Sequence, residues 1–266
     1  MSGLRLAVGT FTILPAGRID HVDRSTARTA MSLAPLVGIV LGAIAALMVW
    51  AVAATSIPYA DLLGAALAIA LLAYLTRALH LDGLADTADA LGSGRSGGDA
   101  LDIARRGDVG PFGVIAIVLV LLIDVVALSS ATAAHLGVAA AIVAVTTGRL
   151  AAVWACVRGI PAARPEGLGA MVAGTVPLWR AIAWTLAVAV LAVGLAWASG
   201  GRTALVLAAA PVAVVAGLLV SLGLVRRCVR RLGGITGDVL GASIESATAA
   251  ALVVIALASA GTTVIT

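Results

Sequence analysis

Long uninterrupted hydrophobic runs dominate the pattern of the chain, and the polar residues collect between these runs. About 20 helical residues, rising about 1.5 Å each, cross the roughly 30 Å hydrocarbon core of a bilayer. The strands of a membrane barrel would instead alternate polar and apolar positions. The pattern therefore predicts an all-α fold, a polytopic helical bundle in a lipid bilayer, with seven spans at 32–53, 61–79, 112–128, 136–153, 182–198, 204–224 and 241–260.

The composition agrees with a membrane protein. Of 266 residues, 62% are hydrophobic and 11% are charged, against roughly half and about a quarter in soluble domains. No repeat or low-complexity linker divides the chain, which predicts a single domain over residues 1–266. The first twenty residues are weakly hydrophobic and contain Pro15, so we interpret them as an amphipathic or re-entrant lead-in rather than a signal peptide.

The basic residues are all arginines, and they collect in every second loop. Cytoplasmic loops of membrane proteins carry such an excess, which predicts a cytoplasmic N-terminus, an external C-terminus and a location in the plasma (inner) membrane. The net charge of +4 then requires no nucleic-acid partner. Cys156 and Cys228 fall on the reducing side, so no structural disulfide is expected. The arginine-rich segments contain Arg5, Arg18, Arg24 and Arg28; Arg95, Arg105 and Arg106; Arg158, Arg164 and Arg180; and Arg226, Arg227, Arg230 and Arg231.

Three aspartates follow the second predicted span in the segment HLDGLADTADAL, residues 80–91. If the helix continues through this segment, Asp86 and Asp89 lie about 40° and about 20° to either side of Asp82. At about 6 Å and an effective dielectric near 20, each pair repels by on the order of 3 kcal/mol. Oxygen ligands without cysteine suit Mg²⁺ or Mn²⁺. A solvated acidic face is the alternative, although such faces usually carry neutralising Lys or Arg, which this one lacks.

A glycine-containing loop on the same side, LDIARRGDVGPFG at 101–113, contains Arg105, Arg106 and Asp108. Guanidinium groups and exposed backbone amides of this kind can hold phosphate. Taken alone, the loop has a simpler explanation: its glycines form turns, and its arginines orient the protein in the membrane. Together with the acidic segment, it indicates a phosphoryl-transfer site.

A second glycine loop, RRLGGITGDVLGASIE at 230–245, opens the last predicted helix. Either Thr236 or Asp238 is its expected N-cap. Asp238 and Glu245 are seven residues apart and share one helical face. Capping alone would explain Asp238, so its participation in the site depends on what the other loops bring to this face.

Four segments carry a specific resemblance to a known family: HLDGLADTADAL at 80–91, GDVGPFG at 107–113, EGLG at 166–169 and GGITGDVLGASIE at 233–245. In order and over most of the chain, they resemble the cobalamin synthases, the adenosylcobinamide-GDP ribazoletransferases. One position departs from the family pattern. Many members have Lys/Arg-Asp-Ser-Arg before the Gly-x-x-Gly, where this chain has Arg105, Arg106, Gly107 and Asp108, so which of these side chains contacts phosphate stays open.

The resemblance implies a Mg²⁺-dependent inner-membrane transferase, with Mn²⁺ as a substitute ion, whose active face is cytoplasmic. The 5′ oxygen of α-ribazole, or of its 5′-phosphate, would attack the cobinamide-side phosphorus of adenosylcobinamide-GDP and expel GMP. The product would be adenosylcobalamin or its 5′-phosphate. The resemblance also makes association with other corrinoid-pathway enzymes an expectation.

The same resemblance implies the site residues. Asp82, Asp86, Asp89 and Asp238 would be catalytic and hold the metal, and Asp89 would accept the proton of the nucleophile. Arg105, Arg106 and Arg149 would anchor the pyrophosphate, and Glu166 would contact the ribazole or GMP portion. The full expected substrate-binding set is His80, Arg105, Arg106, Asp108, Arg149, Glu166, Gly234, Thr236 and Glu245.

Two other classes of membrane protein predict different sequence patterns. A CDP-alcohol phosphotransferase would place Ala-Arg soon after Asp-Gly, whereas Ala85 is followed here by Asp86. A cation or substrate transporter would place its carboxylates near the membrane midplane on broken helices. The acids cluster instead at one interface, and Asp124 alone lies well inside a predicted span.

Overall fold

A computed structural model describes residues 2–18, 21–103 and 108–260 of the chain. Within these residues, six helices are long and apolar enough to cross a membrane, and a bent pair passes the same test as a seventh span. The predicted all-α polytopic membrane bundle is confirmed. Arg105 and Arg106 lie outside the described residues. The helices are α1 (Ser2–Phe11), α2 (Arg24–Ala53), α3 (Ala60–Leu75), α4 (Leu79–Gly92), α5 (Gly98–Ile103), α6 (Pro111–Ala133), α7 (Gly137–Ala155), α8 (Gly167–Val172), α9 (Leu178–Ala198), α10 (Ala204–Leu232) and α11 (Gly237–Ala260).

Helix α7 forms the centre of the bundle, and it packs against α2, α6, α9, α10 and α11. Its sequence is mostly Ala and Val, and nearly all of its side chains are buried. Small side chains let helices approach closely in a bilayer, where van der Waals contact rather than water exclusion drives helix association. Helices α6 and α9 instead expose long apolar side chains such as Leu122 and Leu186, as expected of helices that face lipid.

A close helix contact in the core joins α2 to α7 through a Gly-x-x-x-Gly motif. A Cβ added to Gly38 would lie 2.8 Å from the Cα of Thr146, and one added to Gly42 would lie 2.8 Å from the Cα of Ile142. Such contacts require glycine because any side chain would separate the two backbones. At its other end, α2 is capped by Asp23, which accepts a hydrogen bond from the backbone N–H of Thr26, and this bond lowers the pKa of the Asp23 carboxyl.

The helix of the second predicted span does not continue straight into the acidic segment, which was the condition used to place the three aspartates on one face. Helix α3 ends at Leu75, and α4 departs from its direction by 88°. Arg77 and Ala78 at the corner have φ values of 56° and 52°, in the left-handed region that disfavours non-glycine residues. The corner contains no Gly or Pro to signal it. The acidic segment is nevertheless helical, as predicted.

The segment between α7 and α9 folds over the connection between α10 and α11. The backbone N–H of Ile235 donates to the carbonyl of Pro161 over 2.9 Å, and that of Ala163 donates to the carbonyl of Ile235 over 3.0 Å. This pairing brings the start of α8 close to the start of α11. Cys156 and Cys228 are both free and buried, and burial raises the pKa of the Cys156 thiol.

Candidate active site

Two glycines place α4 directly on the first turns of α11. A Cβ added to Gly83 would lie 2.7 Å from the carbonyl oxygen of Asp238, and one added to Gly241 would lie 3.0 Å from the Cα of His80. Residue numbers rise along α4 as they fall along α11, so the two helices meet in an antiparallel register. This register brings the acidic segment of α4 to the N-terminus of α11.

Three carboxylates share the resulting site. Asp86 interacts electrostatically with Asp238 and Asp82, and Asp238 also interacts with Asp82. Asp82 is exposed, while Asp86 and Asp238 are half-buried. Among the described residues, no three Asp, Glu, His or Cys side chains are close enough to hold a metal ion by themselves.

Asp89, the third aspartate of the acidic segment, has a different environment. Its Oδ2 accepts a hydrogen bond from the backbone N–H of Gly110 over 2.7 Å, and its Oδ1 accepts one from Gly113 over 2.9 Å. The side chain is only 8% exposed. Asp89 therefore caps the N-terminus of α6 from the neighbouring helix, where free backbone amides and the helix dipole favour a negative charge. These two amides of the glycine loop bind Asp89, although the sequence suggested that such amides hold phosphate.

Thr236 is the N-cap of α11, which resolves the choice that the sequence left open. Its Oγ1 accepts a hydrogen bond from the backbone N–H of Val239 over 3.2 Å and donates one to Oδ2 of Asp238 over 3.0 Å. One hydroxyl thus satisfies the helix end and orients the carboxylate. The Asp238 side chain is not needed as a cap.

Arg164 supplies a positive charge next to the carboxylates. From the sequence alone, this arginine indicated only which side of the membrane its loop occupies. It interacts electrostatically with both Asp86 and Asp238, and its Nη2 donates to the carbonyl of Leu101 over 2.6 Å. Its position two residues before the EGLG motif was the available signal. Glu166 is exposed in this motif, in the extended residue that precedes α8.

Three predicted substrate-binding residues lie inside the protein rather than at the carboxylates. Arg149 is 3% exposed and His80 is 4% exposed, and Arg149 Nη2 lies 3.5 Å from His80 Nδ1. Oε1 of Glu245 lies 3.8 Å from the same His80 nitrogen. The buried position of Arg149 does not fit direct anchoring of a pyrophosphate.

The remaining predicted residues divide between the surface and the backbone packing. Asp108 is exposed in the loop before α6. Gly234 is buried where its backbone meets that of Ala162 and Ala163, leaving no room for a side chain. Its contribution is therefore the close packing of the two loops, which sets the position of Thr236.

The fold and the site together define a polytopic helical membrane protein with a carboxylate site at one end of its bundle. Residues 3–256 match the family model described as cobalamin-5-phosphate synthase. The chain belongs to this family, which confirms the resemblance found in the motifs.

Curated relatives span nearly the whole chain. The chain is 44% identical to a protein of Frankia casuarinae over 95% of this chain and 94% of the relative. It is 42% identical to one of Nocardioides sp., covering 93% of this chain and 95% of the relative. A protein of Corynebacterium efficiens is 34% identical over 98% and 93%, respectively. All three are named adenosylcobinamide-GDP ribazoletransferase. No solved structure matches the chain.

Proposed function

We propose that this chain is a membrane-embedded adenosylcobinamide-GDP ribazoletransferase of cobalamin biosynthesis. Its family and the names of its relatives support this activity. The structural observation that carries the proposal is the meeting of Asp82 and Asp86 on α4 with Asp238 on α11, beside Arg164. Displacement at phosphorus requires little covalent help from a protein and depends on positioning and on charge stabilisation.

In the proposed reaction, a ribose hydroxyl of the acceptor attacks the cobinamide-side phosphorus of adenosylcobinamide-GDP. The bond from this phosphorus to the bridging oxygen breaks, and GMP leaves. The expected attack through the 5′ oxygen needs a correction, because α-ribazole 5′-phosphate has no free 5′ hydroxyl. A site that accepts both α-ribazole and its phosphate must therefore use a 2′ or 3′ hydroxyl.

The carboxylates fit a divalent cation that is shared with substrate phosphates. Mg²⁺ commonly takes only one or two protein carboxylates and completes its shell with water and phosphate oxygens. One or two carboxylates among Asp82, Asp86 and Asp238 would hold Mg²⁺, or Mn²⁺, together with substrate phosphates, because these side chains offer only oxygen donors and repel one another without a cation. When bound, the ion stabilises negative charge on the transferring and leaving oxygens.

Arg164 attracts the diphosphate of the substrate towards the carboxylates, and its hydrogen bond to Leu101 fixes its position. The proton of the attacking hydroxyl passes to a carboxylate of this group. Asp89, which the family resemblance suggested for this step, is poorly placed to accept the proton, because both of its oxygens accept backbone hydrogen bonds. Asp89 instead holds α4 against the start of α6.

We also propose that the carboxylate site faces the cytoplasm across the inner membrane. The arginine-rich loops lie at the same end of the bundle as the carboxylates. Arg164 reaches Leu101, and Arg231 donates to the carbonyl of Arg95 over 2.5 Å. The cytoplasmic side supplies nucleotide substrates, and it is where other enzymes of the corrinoid pathway would associate.

A direct assay tests the proposed activity. Purified protein in detergent is incubated with adenosylcobinamide-GDP, α-ribazole and Mg²⁺, and adenosylcobalamin and GMP are measured by chromatography. An Asp238→Asn variant serves as the matched control. Formation of both products in a one-to-one ratio by the native protein alone supports the proposal. Binding without release of GMP would favour a transporter, and transfer from a CDP-alcohol would favour the other phosphotransferase class.

A further inference from the structure

A second polar group lies inside the bundle, apart from the three carboxylates. It contains Asp124 of α6, Arg149 of α7, Glu245 of α11 and His80 of α4, so each residue comes from a different helix. Asp124 is 2% exposed and Arg149 is 3% exposed. Ionisable groups within a membrane bundle are costly and are usually retained for a role. The proposed chemistry does not use this group directly.

The members form a chain of contacts. Arg149 Nη2 approaches His80 Nδ1 to 3.5 Å, and His80 Nδ1 lies 3.8 Å from Glu245 Oε1. Arg149 also attracts Glu245 electrostatically, whereas Glu245 and Asp124 are two acids that repel each other. A guanidinium group only donates hydrogen bonds, so the His80 nitrogen that faces Arg149 is the acceptor. This acceptor nitrogen has no proton for Glu245, so Arg149 is the shared cation: it faces His80 of α4 and attracts Glu245 of α11.

A cavity of about 30 Å³ adjoins this group, and Asp124, Arg149 and Glu245 line it together with Thr76 and Thr248. Within the described part of the chain, Asp124 Oδ1 and Arg149 Nε have no hydrogen-bond partner although both atoms are buried. A polar cavity of this size has room for an ordered water, which would bridge such atoms. An ordered water in this cavity would connect Arg149 of α7 to Asp124 of α6.

The polar group and the carboxylates lie on the same two helices, α4 and α11. His80 precedes Asp82 by two residues on α4, and Glu245 follows Asp238 by two turns of α11, about 10 Å along the axis. The α4 backbone at His80 touches Gly241, midway between Asp238 and Glu245. Movement of the His80 end of α4 would therefore change the separation between Asp82 and Asp238.

We propose that His80, Arg149, Glu245 and Asp124 are positioning residues, a hydrated buried network that fixes the distance between the α4 carboxylates and Asp238. The inference rests on the proposed function only in what the carboxylates do. It adds that the intramembrane charges set their geometry and do not contact substrate.

The test uses a charge-balanced pair of substitutions. Arg149→Met alone leaves Glu245 and Asp124 buried without their cation and is expected to lower the Tm, because an unpaired buried charge is destabilising. Adding Glu245→Leu removes most of this imbalance and is expected to restore much of the Tm. Thr146→Val is the matched control, since it removes another buried polar group from α7, three residues from Arg149.

Three measurements on the double variant decide the question. We expect a kcat about tenfold or more below native, a KM for adenosylcobinamide-GDP within about twofold of native, and Mn²⁺ affinity by electron paramagnetic resonance weakened about tenfold. The control should match the native protein in all three. A stable double variant with native kcat and Mn²⁺ affinity would overturn the inference and indicate a purely structural network.

The proposed function and the network fail in different ways. If the native protein transfers no ribazole, the Mn²⁺ affinities of the native, double-variant and control proteins still test the network. If the native protein turns over but binds no Mn²⁺ without substrate, the kcat comparison decides. A large rise in KM with unchanged kcat would return Arg149 to a substrate-binding role and would also overturn the inference.

Discussion

The hydroxyl of Thr236 donates a hydrogen bond of 3.0 Å to the carboxylate of Asp238 while accepting one from the α11 backbone. The Thr236 side chain therefore both caps α11 and orients the Asp238 carboxylate. Substitutions at Thr236 and at Asp238 can measure the stability effect and the activity effect separately. Because Thr236 satisfies the helix end, the Asp238 carboxylate is not occupied as the cap of α11. We therefore expect substitution of Thr236 to affect mainly stability, and substitution of Asp238 to affect mainly activity.

Asp238→Asn is expected to fold normally and to lose activity by about 100-fold or more, because an essential charge is removed while the shape is kept. Thr236→Val should cost about 1 kcal/mol of stability through loss of the cap, and Thr236→Ser should retain both hydrogen bonds. Thermal unfolding and GMP release measure the two effects. An Asp238→Asn enzyme with near-native turnover would exclude a catalytic role for this carboxylate.

Asp89 and Asp86 are expected to respond in opposite ways although they are three residues apart. Asp89→Ala leaves the Gly110 and Gly113 amides without an acceptor, which costs on the order of 1–3 kcal/mol for each buried donor. Asp86→Asn should leave the Tm nearly unchanged and abolish most turnover. Measuring the Tm and the turnover at saturating Mg²⁺ for both variants distinguishes the structural role of Asp89 from the catalytic role of Asp86. Native stability with no activity in Asp89→Ala would instead make Asp89 a direct participant.

Arg164→Gln should lower kcat/KM by about 10- to 100-fold, because the substrate phosphates lose their nearby cation and the carboxylates lose their counter-charge. Arg164→Lys should recover part of the loss. Arg158→Gln is the control, since Arg158 is exposed in the same loop region and has no interaction with the carboxylates among the described residues. Equal effects at the two arginines would indicate a general electrostatic contribution.

The orientation of the bundle can be tested by thiol labelling. Cysteines introduced by Ser96→Cys and Pro165→Cys should be shielded from a membrane-impermeant maleimide in intact cells, and one from Ser130→Cys should react. The native cysteines should stay silent in folded protein because both are buried. Labelling of the first two sites from outside would place the carboxylates on the external face.

The Gly-x-x-x-Gly contact between α2 and α7 gives a stability prediction. Gly42→Ala should destabilise the bundle, since its Cβ would lie 2.8 Å from Ile142 and would push the helices apart. Gly194→Ala on α9 meets open space and should stabilise by up to about 1 kcal/mol through helix propensity. Thermal unfolding in one detergent compares them directly. Equal shifts at both sites would show that the close contact carries no stability.

Most of the fold followed from hydrophobic run length, since each crossing helix of the bundle contains a continuous apolar segment. The corner at Thr76–Ala78 could not be predicted, because two non-glycine residues adopt left-handed φ values there under tertiary constraint. Helix periodicity placed Asp82 and Asp86 on one side of α4. It could not tell that Asp89, on the same side, meets the free amides of α6.

The contacts that separate substrate residues from positioning residues also lay beyond the sequence. Arg149 and Arg164 are both single arginines that are separate from the arginine pairs in the sequence, yet one is buried against His80 and the other interacts with the carboxylates. The position of each arginine depends on which helices become neighbours. The sequence does not show this, because α4, α7 and α11 are far apart along the chain. The sequence did narrow the N-cap of the last helix to Thr236 or Asp238, and the structure shows that it is Thr236.

The right-angled corner between α3 and α4 determines the medium in which the chemistry takes place. A straight continuation of α3 would have aligned the carboxylates with a membrane-crossing axis. The 88° turn carries them sideways across the end of the bundle, where Asp82 is exposed. In the proposed enzyme, a bulky polar reactant would then reach these carboxylates from water without dissolving in hydrocarbon. The bilayer would support the enzyme physically, while the bond exchange would take place at an aqueous surface.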